Sequence, residues 1–224
     1  MVCKGIRDKT QGEDLLTEFW NELLTQASWE KLQKMSQEFD FILIGGWSIY
    51  LWTGKHKSKD IDIIIDFKLL SQLQEKYRLI KNDRLKKYEI KFDEFDIDIY
   101  LPYYSKLTLP VSELFEFSVM VQGIKTIIPE ALLILKQGAE LERRYSVKGQ
   151  KDEIDILTLL IYSGLDLDKY NKLIVRYDLI NYIEELKTVI EKFDTREVHY
   201  LDMNLKKFVD WKKKYILRLK DFPK

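Results

Sequence analysis

The sequence predicts an α/β fold: a small mixed, twisted sheet with flanking helices, followed by a helical C-terminal region. Short apolar runs with period-two alternation, DIDIIID at 60–66 and FDIDIYLP at 95–102, are interleaved with helical patterns up to about residue 128. From Pro129 onward only the 3.6-residue period of helices remains. No Pro-, Gly- or Ser-rich linker separates the parts. The chain therefore divides into an α/β unit at 1–128 and a helical unit at 129–224 packed on it.

Residues 14–38 read as helix, with Leu15, Leu16, Phe19, Trp20, Leu23 and Leu24 on one stripe and a predicted interruption at Ala27-Ser28, where Ser28 would cap a second helix. FDFILIGG is a buried strand running into a tight turn, and WSIYLWTG is a short helix stopped at Gly54. KHKSK is a polar loop before the strand DIDIIID, and FKLLSQLQEKY is helix again. KKYEIKF and FDIDIYLP form a hairpin turning at Asp93-Glu94, and FSVMVQGIKTIIP a second one turning at Gln122-Gly123, with a short helical stretch VSELFEF between them. Pro129 suits the first turn of a helix. Leu173, Ile174, Tyr177, Ile180, Ile183 and Leu186 continue to Ile190 as one long apolar stripe.

Composition narrows the class. At 46% hydrophobic and 33% charged residues over 224 positions, the chain is globular and long enough to bury a core. Lys plus Arg and Asp plus Glu both number 37, so overall charge gives no argument for a nucleic-acid partner. Cys3 is alone, which excludes an intrachain disulfide or a cysteine zinc site and fits a reducing, cytoplasmic setting. The N-terminus lacks an apolar signal core, and no apolar run reaches the ~18–20 residues of a membrane span.

The chemistry lies in the acids. Successive strand side chains alternate faces, so Asp60 and Asp62 share one face, and Asp96 and Asp98 share one on the later strand. Adjacent strands of this kind would gather carboxylates that repel unless cations neutralise them. All-oxygen ligands suit Mg²⁺ or Mn²⁺. The bland alternative is a solvated edge strand kept soluble by its acids. Gly45-Gly46 ends a strand and opens a helix, a place where backbone N–H groups can face a phosphate. Taken alone, that pair is also an ordinary turn.

In order, ILIGGWSIYLW, KSKDIDIII and FDIDIYLP resemble the polymerase-β-like nucleotidyltransferase superfamily, whose signature is a Gly-Gly or Gly-Ser turn, Asp-x-Asp and a third carboxylate on a following strand. The chain looks most like the branch containing nucleotidyltransferase toxins of abortive-infection and toxin–antitoxin systems and related archaeal proteins. Ser58 is a conservative match to the Thr of its Arg-x-Thr-x-Asp-Ile-Asp, with Lys57 supplying a base one residue from the Arg, and IIPEALLILKQ and KGQKDEIDILTLL match its later helices. The resemblance covers roughly residues 40–162. It implies a nucleotidyltransferase fold and transfer of a nucleoside monophosphate from an NTP to an acceptor hydroxyl, releasing pyrophosphate. It further implies that Asp60, Asp62 and Asp98 bind metal, with Asp96 the alternative to Asp98. Gly45, Gly46, Ser48, Lys57 and Lys136 would serve the nucleotide. The acceptor would be RNA, a protein or a small molecule, and a small antitoxin-like partner or a catalytically silent nucleotide-binding role would also fit. Trp47 stands where some branches carry smaller residues, which predicts a narrowed pocket.

Other residues carry less. His56 reads as an exposed loop residue and His199 as structural. Arg143, Arg144 and Lys148 form a basic cluster, either a solvated helix end or a phosphate site, and Asp152 and Asp155 lie on one helix face able to pair with it. WKKKYILRLK reads as an amphipathic helix with a solvated basic face.

Overall fold

In a computed structural model, residues 22–220 and Phe222 are described. Cys3 and the first part of the predicted 14–38 helix lie outside them. Helix α1 spans Glu22–Glu38 and leads into β1 (Ile42–Ile44) and α2 (Gly45–Thr53). Next come β2 (Ile61–Ile64), α3 (Phe67–Lys76), β3 (Ile80–Asn82), β4 (Lys87–Lys91) and β5 (Asp96–Tyr100). A 3₁₀ turn at Leu114–Phe117 precedes the hairpin of β6 (Ser118–Val121) and β7 (Ile124–Ile127). The remainder is helical: α4 (Pro129–Arg143), α5 (Val147–Tyr162), α6 (Leu167–Arg176), α7 (Tyr182–Lys192), a 3₁₀ segment Thr195–Leu201 and α8 (Leu205–Leu219).

The seven strands form one sheet in the order β3-β4-β5-β2-β1-β7-β6. It is mixed, because β1 runs antiparallel to β2 but parallel to β7, while β2 and β5 are parallel. The predicted α/β class with a helical C-terminal region is the observed one. Strand alternation sorts the side chains. Ile61 and Ile63 of β2 and Ile97 and Ile99 of β5 pack with Leu32, Met35 and Trp47 on one face. Ile42, Ile44 and Ile64 face the other way, into a cluster shared with Leu132, Ile156 and Ile190 from the helices. This second cluster runs across residue 128, so strands and helices share one apolar core.

Three local readings are corrected. Helix α1 passes through Ala27-Ser28 without a break, because Ser28 Oγ bonds back to Thr25 O at 3.2 Å and across to Ser58 O at 3.1 Å and so does not act as a cap. The apolar stripe from Leu173 to Ile190 is two helices. Asp178 adopts a left-handed φ of 55°, and Leu179 N–H reaches back to Ile174 O at 2.7 Å, closing α6 with the hydrogen bonds of a Schellman ending. Trp47 does not narrow a pocket. It is 0% exposed, donates to Ser28 Oγ and packs against Trp29 with ring centroids 4.9 Å apart, on the far side of the sheet from the acids.

Candidate active site

The parallel pairing of β2 with β5 sets Asp62 directly beside Asp98. Both face the helices, together with Tyr100, whose hydroxyl donates to Asp62 Oδ1 at 3.3 Å. Burial raises the Asp62 carboxyl above its ordinary range; nearby Lys136 opposes this and Asp60 adds to it. Burial, and then the neighbouring Asp62, push Asp98 up to about 6. Asp60 lies just ahead of β2, and its Oδ1 accepts the Asp96 backbone N–H at 3.1 Å. Of the two candidate third acids, Asp98 is the one in register with Asp62, while the Asp96 carboxylate is held by Lys91 at 2.6 Å.

The glycine turn closes on the same point. Gly45 has a φ of 69°, and a Cβ there would sit 2.1 Å from Asp62 Oδ2. A Cβ on Gly46 would meet Ser58 Oγ at 2.5 Å, with Lys151 Nζ at 3.5 Å. Both glycines are therefore required by close approach, and Gly45 also by its backbone. No side chain caps the start of α2, which has no acid in its first turn. Gly45→Ala is expected to displace Asp62 and abolish any reaction at this site. The cost to stability should be at least the roughly 1 kcal/mol of a left-handed non-glycine residue. Paired thermal melts and activity assays check this, and full activity in that variant would contradict the packing described.

Other predicted residues fall elsewhere. Ser48 is fully buried and lies 2.5 Å from Thr126 Oγ1. Since Thr126 donates to Leu43 O, Ser48 is the donor of that pair, and its hydroxyl is engaged inside the core. Lys57 is partly buried in the loop before β2. Lys136 neither snorkels nor lies open to a ligand. It is 8% exposed and bridges Asp152 at 3.1 Å and Asp155 at 2.7 Å. Burial would lower its pKa, but those two carboxylates outweigh burial and raise it. The basic cluster is dispersed. Arg143 clamps Asp152 through Nε and Nη2, Arg144 holds Glu140 and Glu185, and Lys148 is exposed. His56 is partly buried, and burial lowers its pKa, so it is not the exposed loop residue expected.

Burial alone would raise Asp155, but the ammonium groups of Lys136 and Lys151 outweigh it and hold this acid down to about 2. A carboxyl with a lowered folded-state pKa adds stability above its ordinary value near 4 and loses it as pH falls toward 2. Asp155→Asn should accordingly flatten the acid limb of the stability curve between about pH 4 and 2, by roughly 2 kcal/mol. Urea titrations across that range measure it, and an unchanged acid limb would contradict the assignment.

Sequence reasoning missed Tyr100 and Lys87. Tyr100 follows Asp96 and Asp98 at period two, so strand alternation could have found it. Lys87 Nζ lies 2.5 Å from Asp98 Oδ2 and 3.1 Å from Glu89 Oε1.

Among the described residues, no three Asp, Glu, His or Cys side chains are grouped closely enough to hold a metal ion by themselves. The donors nevertheless suit a Mg²⁺-type ion, which commonly takes one or two protein carboxylates and completes its shell with water and substrate phosphates. Asp62 and Asp98 are two such donors side by side, and one of them already carries a cationic partner. No helix of the described residues is long and apolar enough to cross a membrane.

No protein-family profile matches this chain, and no curated protein sequence is significantly similar to it. Among solved structures, an antigenic nucleotidyltransferase-like protein from Paracoccidioides brasiliensis is similar with a TM-score of 0.42 and 16% identity, over 81% of this chain and 93% of that one. JHP933 from Helicobacter pylori is similar with a TM-score of 0.43 and 13% identity, over 97% and 96%.

Proposed function

We propose that this protein is a metal-dependent nucleotidyltransferase that moves a nucleoside monophosphate from an NTP to an acceptor hydroxyl. The observation that carries the reading is the placement of Asp98 beside Asp62, whose carboxylate packs against the Gly45 turn. The uncapped start of α2 offers backbone N–H donors to the triphosphate, and the Lys151 ammonium close to Gly46 adds positive charge. Lys57, in the loop before β2, would add positive charge toward the same phosphates. Lys136 acts one step back, pairing with Asp155, which in turn pairs with Lys151.

Asp62 and Asp98 would hold Mg²⁺ or Mn²⁺, with Asp60 at the head of β2 completing the acidic set. The bound ion would offset phosphate charge and polarise the phosphoryl group under attack. Asp98, beside the ion, would lie next to the acceptor hydroxyl and take up its proton. The acceptor oxygen would attack the α-phosphorus as its proton passes to Asp98. A new P–O bond forms, the bond to the β-phosphate bridge breaks, and pyrophosphate leaves. Tyr100 donates to Asp62 and fixes its orientation.

The test incubates the protein and Mg²⁺ with each α-labelled NTP plus total RNA or cell lysate. Label transferred to RNA, protein or a small molecule supports the reading and names the acceptor class. Nucleotide binding by calorimetry without transfer from any NTP would overturn it and leave a nucleotide-binding module.

A further inference from the structure

Lys87 emerges from β4, and its ammonium sits on the carboxylate that the proposed reaction needs for a metal ion. Its Nζ is 2.5 Å from Asp98 Oδ2, and the two side chains are only 12% and 18% exposed. At such low exposure water and salt screen the pair weakly. A divalent ion would approach a carboxylate oxygen to about 2.0–2.1 Å. An ammonium group already beside that oxygen repels the ion and must move aside. A place for it exists. Glu89 stands opposite Asp98 across the β4–β5 pair, and its Oε1 is 3.1 Å from Lys87 Nζ. The flexible lysine stem can turn fully onto Glu89 without leaving a buried charge unpaired, which would otherwise be costly.

We propose that Lys87 is a tethered counter-cation of the Asp62–Asp98 pair, which competes with the divalent ion for Asp98 and is released onto Glu89 when that ion binds. The inference rests on the metal-dependent reading above. It gives the lysine a purpose: like-charged acids are kept neutralised while the site is idle. It also makes free metal a poor ligand. An ion arriving on the triphosphate brings phosphate oxygens and further anchors, so loading as a metal–nucleotide complex is favoured over metal alone.

The experiment titrates Mn²⁺ alone, without nucleotide, into the wild-type protein and into Lys87→Met, Lys91→Met and Glu89→Gln, following free Mn²⁺ by electron paramagnetic resonance. Lys91 pairs with Asp96 at 2.6 Å and more distantly with Glu89 at 3.4 Å, but does not touch Asp98, and so controls for loss of one nearby positive charge. Lys87→Met should tighten Mn²⁺ binding at least tenfold, Lys91→Met less than threefold, and Glu89→Gln should weaken it severalfold. Lys87→Met binding no tighter than wild type, or Lys91→Met gaining as much, overturns the counter-cation while leaving the metal reading intact. Absence of Mn²⁺ binding in both wild type and Lys87→Met removes both. Should Lys87→Met not fold, Lys87→Gln takes its place. Unaltered affinity in a folded Glu89→Gln variant equally contradicts release onto that acid.

Discussion

Asp62→Asn should abolish metal-dependent transfer and, at the same time, raise the melting temperature of the metal-free protein. The loss of activity is expected to reach at least about 10³-fold, equivalent to some 4 kcal/mol of barrier. An amide cannot supply the negative charge that a divalent ion requires. The gain in stability has a separate origin. Burial and the nearby Asp60 disfavour the ionised Asp62 carboxyl, so its folded-state pKa lies above its ordinary value. Such a group costs nothing while protonated in both states, and its penalty grows as pH rises through the folded value. The stabilisation from Asp62→Asn should therefore be clear at pH 8 and vanish near pH 3.5. Each kcal/mol relieved is worth about 2–4 °C for a chain of this size. Melts in chelator at both pH values, beside the labelled-NTP assay, check both halves. Full activity in this variant would sink the mechanism.

Lys136→Ala is expected to be the most destabilising single change in the helical part. Lys136 is the shared cation of Asp152 and Asp155, which are each 1% exposed. Removing it leaves, as ion-pair partners among the described residues, Lys151 at 3.4 Å for Asp155 and Arg143 for Asp152. Breaking a buried pair from one side costs about 3–5 kcal/mol. That is a large share of the ~5–15 kcal/mol holding an ordinary domain together. A lower urea midpoint at an unchanged slope is the expected signature. The double variant Lys136→Met/Asp155→Asn should recover much of the loss, because the orphaned charge is removed along with its partner. Equal midpoints for Lys136→Ala and wild type would contradict this account.

Most of the fold was legible because its elements carry clear periods. The alternation in DIDIIID and FDIDIYLP placed acids and isoleucines on opposite faces, as observed. Strand β3 gave no such signal: Ile80 and Lys81 are both exposed at the sheet edge, so burial imposes no pattern there. The break at Asp178 was hidden because an aspartate takes the left-handed position where glycine would have announced a helix end. For the site, same-face acids could be read from either strand alone. That β2 and β5 are neighbours could not, since β3 and β4 intervene in the chain. Lys87 and Glu89 were within reach. A hairpin turning at Asp93-Glu94 already places Glu89 opposite Asp98, the pairing observed. Lys136 could not be assigned its partners in advance, because an apolar helix with one lysine looks the same whether that charge meets a ligand or two buried aspartates.

The apolar cluster that joins Ile44 and Ile64 to Leu132 and Ile190 also bears on how such a chain could be cut or recombined. There is no seam at residue 128 along which the pieces could be parted with both surfaces left wet. Expressed separately, the strand-bearing and helical fragments would each expose half of one interior. Mixed while unfolded, they should regain structure only together, as complementary halves. Exchange of the helical piece between distant homologues would then succeed only when the strand residues facing it were exchanged as well.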